Sequence, residues 1–199
     1  MIAGAQTSMG RSDDALGTYL EVQNRFKSND RAAEAMFRRA ELTLQTKRRG
    51  KEVEARQIYR ELSDGYPSSN WAQRGILSKA ALEEREKIRE ADPELGANVP
   101  AALRTYRLIT QRYPSAAEAA LWKLSELYED VRRYDLAVQA VTDLVARFPS
   151  TKYDAWFRAG ELYERRIKDR AKTREAYAQV PPSSPRYSVA QKKLAELSR

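Results

Sequence analysis

An aromatic-Pro-Ser phrase is written three times in this chain: Tyr66-Pro67-Ser68, Tyr113-Pro114-Ser115 and Phe148-Pro149-Ser150. Each copy stands at a fixed distance from an upstream small-x3-large pair. Ala55-x3-Tyr59 is followed eight residues later by Pro67, Ala102-x3-Tyr106 by Pro114, and Ala137-x3-Val141 by Pro149. Thr173-x3-Tyr177 reaches Pro185 at the same distance, and Ala15-x3-Tyr19 leads to Phe26 with Lys27 in place of the proline. Successive copies lie 40, 47, 35 and 36 residues apart. Such a period marks a chain of stacked supersecondary units, each unable to bury its apolar face alone. The phrase reads as punctuation: the aromatic fills the seam between units, and proline stops the helix. In the middle copy, Ser115 and Glu118 form an S-x-x-E pattern that predicts a capping box for the next helix.

A second motif follows the punctuation. "LWKLSELY" (121–128) and "WFRAGELY" (156–163) align residue for residue, and "MFRRAELT" (36–43) is a weaker copy. Leu121, Leu124 and Tyr128, then Ala137, Val141, Leu144 and Phe148, recur at helical spacing. The pattern predicts about ten helices, over 13–26, 30–46, 51–65, 69–90, 99–112, 116–131, 134–147, 151–167, 169–180 and 186–198. No stretch alternates long enough to predict a strand.

These motifs resemble the tetratricopeptide repeat family, with its W-x2-L-G-x2-Y, A-x3-F and P signature. Trp156-x2-Ala159-Gly160-x2-Tyr163 matches the first part, and Leu121-x2-Leu124-Ser125-x2-Tyr128 with Val141 and Pro149 matches the whole spacing. The resemblance implies an all-α fold: a right-handed α-solenoid of antiparallel helix pairs. It covers residues 13–199 as one array after a tail over 1–12, with an insertion near 86–100. Within the family, the Tyr/Phe-Pro-Ser endings look like the repeats of bacterial outer-membrane-assembly and Tol–Pal-associated proteins. The lipobox cysteine of the lipoproteins among them is missing here. The array opens on the second helix of a pair and closes on a first one, which predicts end-to-end self-association or a place in a longer chain.

Composition narrows the chemistry. With no Cys and no His, thiol nucleophiles, Ser-His-Asp triads, zinc fingers and disulfides are removed together. No phosphate-cradling glycine loop is present; "RRGKE" (48–52) lacks the Ser/Thr and the upstream glycine. Glu83, Glu84 and Glu86 alternate with Arg85, Lys87 and Arg89, a pattern of helical charge pairing rather than acid–base work. No enzyme, cofactor, metal or small-molecule substrate is expected. No run approaches the ~20 apolar residues of a membrane span, and the first residues lack a signal-peptide core. The compartment stays open: cytoplasmic, or periplasmic if an export signal lies outside this sequence.

The resemblance implies protein or peptide binding by the first helix of each pair, along a concave groove. Phe37 and Glu41, Trp122 and Glu126, and Phe157 and Glu161 are each spaced i,i+4 at equivalent places, so each pair shares a helix face. Counting from Pro67, the matching place in the intervening unit is Gly75 and Lys79. The expectation is a ladder of aromatics beside carboxylates, suited to a basic or amphipathic segment. The competing reading is that the aromatics pack between neighbouring first helices. Glutamates stand where the family's carboxylate clamp has Lys, Asn and Arg, so capture of a C-terminal carboxylate is not expected. A second possibility rests on charge. The chain carries +8, and residues 136–199 hold thirteen basic and seven acidic residues. Arg165, Arg166, Lys168 and Arg170 could contact nucleic acid or another polyanion. No interleaved aromatics accompany them, and basic residues also suit helix C-termini.

Overall fold

The computed structural model describes residues 2–198, so residues 1 and 199, at the ends of the expected tail and array, lie outside the described part. Eleven α-helices and one hairpin form among the described residues, and the chain divides between Thr105 and Tyr106 into two compact units. The helices are α1 (Ile2–Ser8), α2 (Ser12–Arg25), α3 (Asp30–Gln45), α4 (Lys51–Gly65), α5 (Asn70–Arg85), α6 (Ala101–Arg112), α7 (Ala117–Asp130), α8 (Tyr134–Arg147), α9 (Ala155–Leu162), α10 (Arg170–Ala178) and α11 (Tyr187–Leu197). The expected all-α, paired-helix class is what forms.

In the first unit the apolar spacing sets the packing. Ala33, Met36, Phe37 and Ala40 from α3 meet Ala55, Ile58, Tyr59 and Leu62 from α4, both sets at i, i+3, i+4, i+7. Ala72 and Leu82 of α5 join this core, with Trp71 and Tyr66 at its edge. Helix α3 begins where the Asn29 side chain accepts the Arg31 amide at 2.8 Å, and α5 where Ser69 accepts that of Trp71 at 3.1 Å. Gly75 lets α5 approach α4: a Cβ there would meet Leu62 Cδ2 at 2.8 Å and Tyr59 Cδ1 at 3.2 Å.

The second unit repeats the scheme. Leu121, Leu124 and Tyr128 of α7 and Val138, Val141 and Leu144 of α8 are buried. Phe157, Tyr177, Val180 and Ala190 form a further core, with Trp156, Tyr187, Leu194 and Leu197 packed on it. Gly160 is the tightest point. A Cβ there would lie 2.4 Å from Tyr177 Cε1 and 2.5 Å from Cδ1. Hydroxyls tie successive loops together within each unit: Ser69 donates to Asp30, Thr151 to Glu118 at 2.8 Å, and Ser184 to Asp154.

Several local expectations are corrected. A two-stranded antiparallel hairpin, β1 (Arg89–Asp92) with β2 (Gly96–Pro100), occupies the insertion, where no strand was expected. Its strands carry little apolar alternation. What makes it is the turn: Asp92 Oδ1 accepts the amides of Glu94 and Leu95 at 3.0 Å, and Gly96 supplies φ +110°. Helix α5 therefore ends at Arg85 rather than 90. Residues 2–8 of the expected tail are helical. The capping box does not form. Pro114–Ala116 make a 3-10 turn, Ala116 is the N-cap of α7 without a side-chain bond, and Glu118 instead accepts from Thr151 and the Lys152 amide. The expected 151–167 helix is shorter: α9 runs from Ala155 and continues as a π turn over Tyr163–Ile167, ending at left-handed Lys168 (φ 65°).

Candidate interaction face

The aromatic positions fall into two kinds. Phe37 is buried in the α3/α4/α5 core, 5.4 Å from the Trp71 ring and 6.2 Å from Tyr59. Phe157 is equally buried, 5.5 Å from Tyr177. Both spend their apolar area on packing. Trp122 differs. It is half-buried and lies flat on Tyr153 at 4.8 Å, with an interplanar angle of 10°. Its indole is shared between core and solvent.

The carboxylates also divide. Glu41 accepts the hydroxyl of buried Tyr59. Burial first, and then Glu41, push that phenol well above its ordinary range. Glu126 is half-exposed and pairs with Lys123 at 3.3 Å, and Glu161 pairs with Arg165 at 3.1 Å. These surface pairs are salt-screened and individually weak. A partner could displace either at little cost. One turn past Glu161, Glu164 accepts Tyr177 Oη at 2.7 Å and Lys193 Nζ at 2.7 Å. Burial opposes its ionisation, but those contacts hold it below the usual carboxylate range.

Lys79 stands in a charged cluster instead of beside an aromatic. Its Nζ reaches Glu83 Oε1 at 2.6 Å and Thr105 Oγ1 at 2.7 Å. Glu83 is wholly buried and also takes Arg56 Nη2 at 3.0 Å, while Arg56 bridges onward to Glu90 of the hairpin. Burial disfavours the Glu90 charge, yet Arg56 outweighs it and lowers its pKa. Within the Glu83–Arg89 stretch, Glu83 pairs back to Lys79 and across to Arg56, and Arg85 pairs with its neighbour Glu86 at 2.8 Å. Counting from Pro67, Gly75 holds the place of Phe157 and Trp71 that of Tyr153: Ser69 caps Trp71 as Thr151 caps Tyr153, and Trp71 packs on Phe37 as Tyr153 packs on Trp122. Gly75 packs on Leu62 and Tyr59 of the preceding helix α4, whereas Gly160 packs on Tyr177 of the following helix α10.

The basic residues of the C-terminal stretch are largely engaged. Arg165 faces Glu161, Arg166 faces Glu129 at 2.8 Å, and Arg170 donates to the Leu197 carbonyl at 2.6 Å. Lys168 is exposed and holds the left-handed cap of the π turn. All four cations are exposed, and two of them have carboxylate partners.

Sequence reasoning missed arginines that lie on the aromatics. Arg158 is 5.4 Å from the Trp122 ring, Arg186 is 5.6 Å from Phe157, and Arg74 is 5.0 Å from Phe37 and 4.8 Å from Trp71. Arg158 is also bonded to Ser125 at 2.6 Å and Glu129 at 3.1 Å. A cleft of about 220 Å³ opens near Tyr153, Trp156 and Phe157, rimmed by Pro149, Pro181 and Pro185. Among the described residues, no group of three or more Asp/Glu could hold a metal ion, and no helix is long and apolar enough to cross a membrane.

The α9–α10 pair, closed by Gly160 on Tyr177, is where a known family meets the chain. Residues 154–181 match the tetratricopeptide repeat model. That repeat comprises α9, the π turn and α10. Solved structures extend the likeness of fold to nearly the whole chain. A tetratricopeptide repeat protein from Parabacteroides merdae superposes with TM-score 0.55 at 15% identity, over 98% of this chain and 69% of its own. MamA superposes with TM-score 0.54 at 15% identity, over 98% of each chain. A double mutant of RS-1 MamA gives TM-score 0.51 at 16% identity, covering 100% of this chain and 91% of its own. No curated protein matches the sequence. The likeness to these structures is one of fold.

Proposed function

We propose that the chain is a non-catalytic scaffold that binds protein or peptide partners through the first helices of its pairs, α3, α5, α7 and α9. The observation that carries this reading is the Trp122–Tyr153 stack. A half-buried indole lies flat on a second ring, with displaceable Glu126 on the same face of α7. Aromatics part-exposed in this way are enriched where proteins meet, because they add large contact area at low entropic cost. In the same unit Phe157 and Glu161 hold the equivalent places on α9, and in the first unit Phe37, Glu41 and Lys79 hold them on α3 and α5. The Tyr/Phe-Pro-Ser endings favour a role in bacterial envelope assembly.

The test is a pull-down with the chain as bait, repeated with Trp122→Ala and with Glu126→Lys. The expected result is loss of the captured partner with unchanged circular dichroism. Unchanged capture by both variants would refute the assignment of this face.

A further inference from the structure

The arginine–aromatic contacts differ in one respect that bears on the first unit alone. In the second unit, Arg158 lies over Trp122 and has its own counter-charge, being bonded to Ser125 and Glu129. In the first unit, Trp71 is flanked by two arginines, Arg74 at 4.8 Å and Arg38 at 5.2 Å, and Arg74 also covers Phe37 at 5.0 Å. Here the internal counter-charge is weaker. Where α7 has Ser125 and Glu129, three and seven residues past Trp122, α3 has Ala40 and Leu44 at the same distances past Phe37. Arg74 makes no ion pair or side-chain hydrogen bond among the described residues. Arg38 has only Glu34, at 3.6 Å, with both side chains about half exposed (48% and 46%).

A guanidinium stacked on a ring uses its face and keeps its N–H edge for planar acceptors, which carboxylates match two at a time. Two guanidiniums on one indole raise the local positive potential, and each lacks a strong internal acceptor. Arg31 adds to it from the preceding turns of α3, at i−7 from Arg38 on the same face, lying 5.9 Å from Phe26 with no carboxylate partner.

We propose that Arg38, Trp71 and Arg74 form a docking site for an acidic peptide segment, whose Asp or Glu carboxylates take the two guanidinium edges. A nucleic acid fits less well. Trp71 is flanked by both arginines and packs on Phe37, leaving no open ring on which a base could stack. The site rests on the scaffold reading but uses a different unit from the Trp122 face, so the two can fail separately.

The experiment titrates the full chain against a fluorescein-labelled peptide of alternating Glu and Ala, by anisotropy at near-physiological salt. Arg38→Gln/Arg74→Gln is expected to weaken binding about tenfold or more, with thermal unfolding unchanged. Arg38→Lys/Arg74→Lys keeps the charge and loses the planar fork, so it is expected to lie between. Reversing Arg165, Arg166, Lys168 and Arg170 together should leave binding unaltered. The proposal is overturned if the wild-type chain does not bind, if the Gln variant binds as well as the parent, or if the C-terminal reversal costs as much. A single-stranded oligonucleotide that binds more tightly through the same two arginines would also overturn it. Loss of peptide binding here with Trp122-dependent capture intact, or the reverse, separates the two faces.

Discussion

Gly160→Ala tests the most closely packed glycine among the described residues. The new Cβ would stand 2.4, 2.5 and 2.9 Å from Tyr177 Cε1, Cδ1 and Cζ, and that ring is wholly buried with its hydroxyl held by Glu164. On propensity alone, alanine in the helix would gain about 1 kcal/mol. Overpacking a closed core costs about 1–3 kcal/mol, occasionally more, and a ring pinned at both ends should place the cost at or beyond the upper end. The expected net is a loss of about 2 kcal/mol, or about 4–8 °C in Tm for a chain of this length. Gly75→Ala is the internal control. Its nearest neighbour is the tip of Leu62 at 2.8 Å, a flexible end that can move, so the variant should fall within about 1 kcal/mol of the parent. Thermal and urea unfolding of both variants are compared with Gly160→Ala in a Tyr177→Leu background, where the penalty should shrink. A Gly160→Ala chain at least as stable as the parent would refute this packing argument.

Other expectations follow from the buried charges and phenols. Glu83→Gln would leave Arg56 and Lys79 facing each other around a neutral amide, at a cost of about 3–5 kcal/mol, read from the urea midpoint. Tyr59 and Tyr177 have folded pKa values raised above the ordinary value of about 10 by burial, then by Glu41 and Glu164. Their contribution is full below that pH and is lost as pH rises through the folded values. Absorbance titration should show these two ionising last among the eleven tyrosines, and Tyr177→Phe should flatten the alkaline fall in Tm. Glu90 and Glu164 are lowered, so their contribution is present above the ordinary value of about 4.3 and is lost as pH falls through the folded values. Lys193→Met should make the acid side of the Tm–pH profile shallower, and an unchanged profile would contradict that account.

The helices were legible because apolar residues recur at one period while proline and aromatic mark each boundary. Val141, Leu144, Tyr59 and Tyr177 are buried where their spacing placed them. The hairpin was not legible, since β1 and β2 are held by the Asp92 turn and positive-φ Gly96 rather than by alternation. The site was read in part. Spacing put Trp122 and Glu126 on one face, but it could not tell an aromatic that fills a core, such as Phe37, from one that shares its surface with solvent. Contacts between helices decide that, and Arg74 over Phe37 or Tyr153 under Trp122 lie more than thirty residues away in the chain.

The central claim is that partners engage the first helices of the pairs. Hydrogen–deuterium exchange of the chain, free and with a partner captured by the intact bait, tests it without presupposing any one residue. The account predicts added protection in α3, α5, α7 and α9, greatest around Trp122 in α7. Added protection confined to the second helices α4, α6, α8 and α10, with the first helices exchanging as in the free chain, would contradict it.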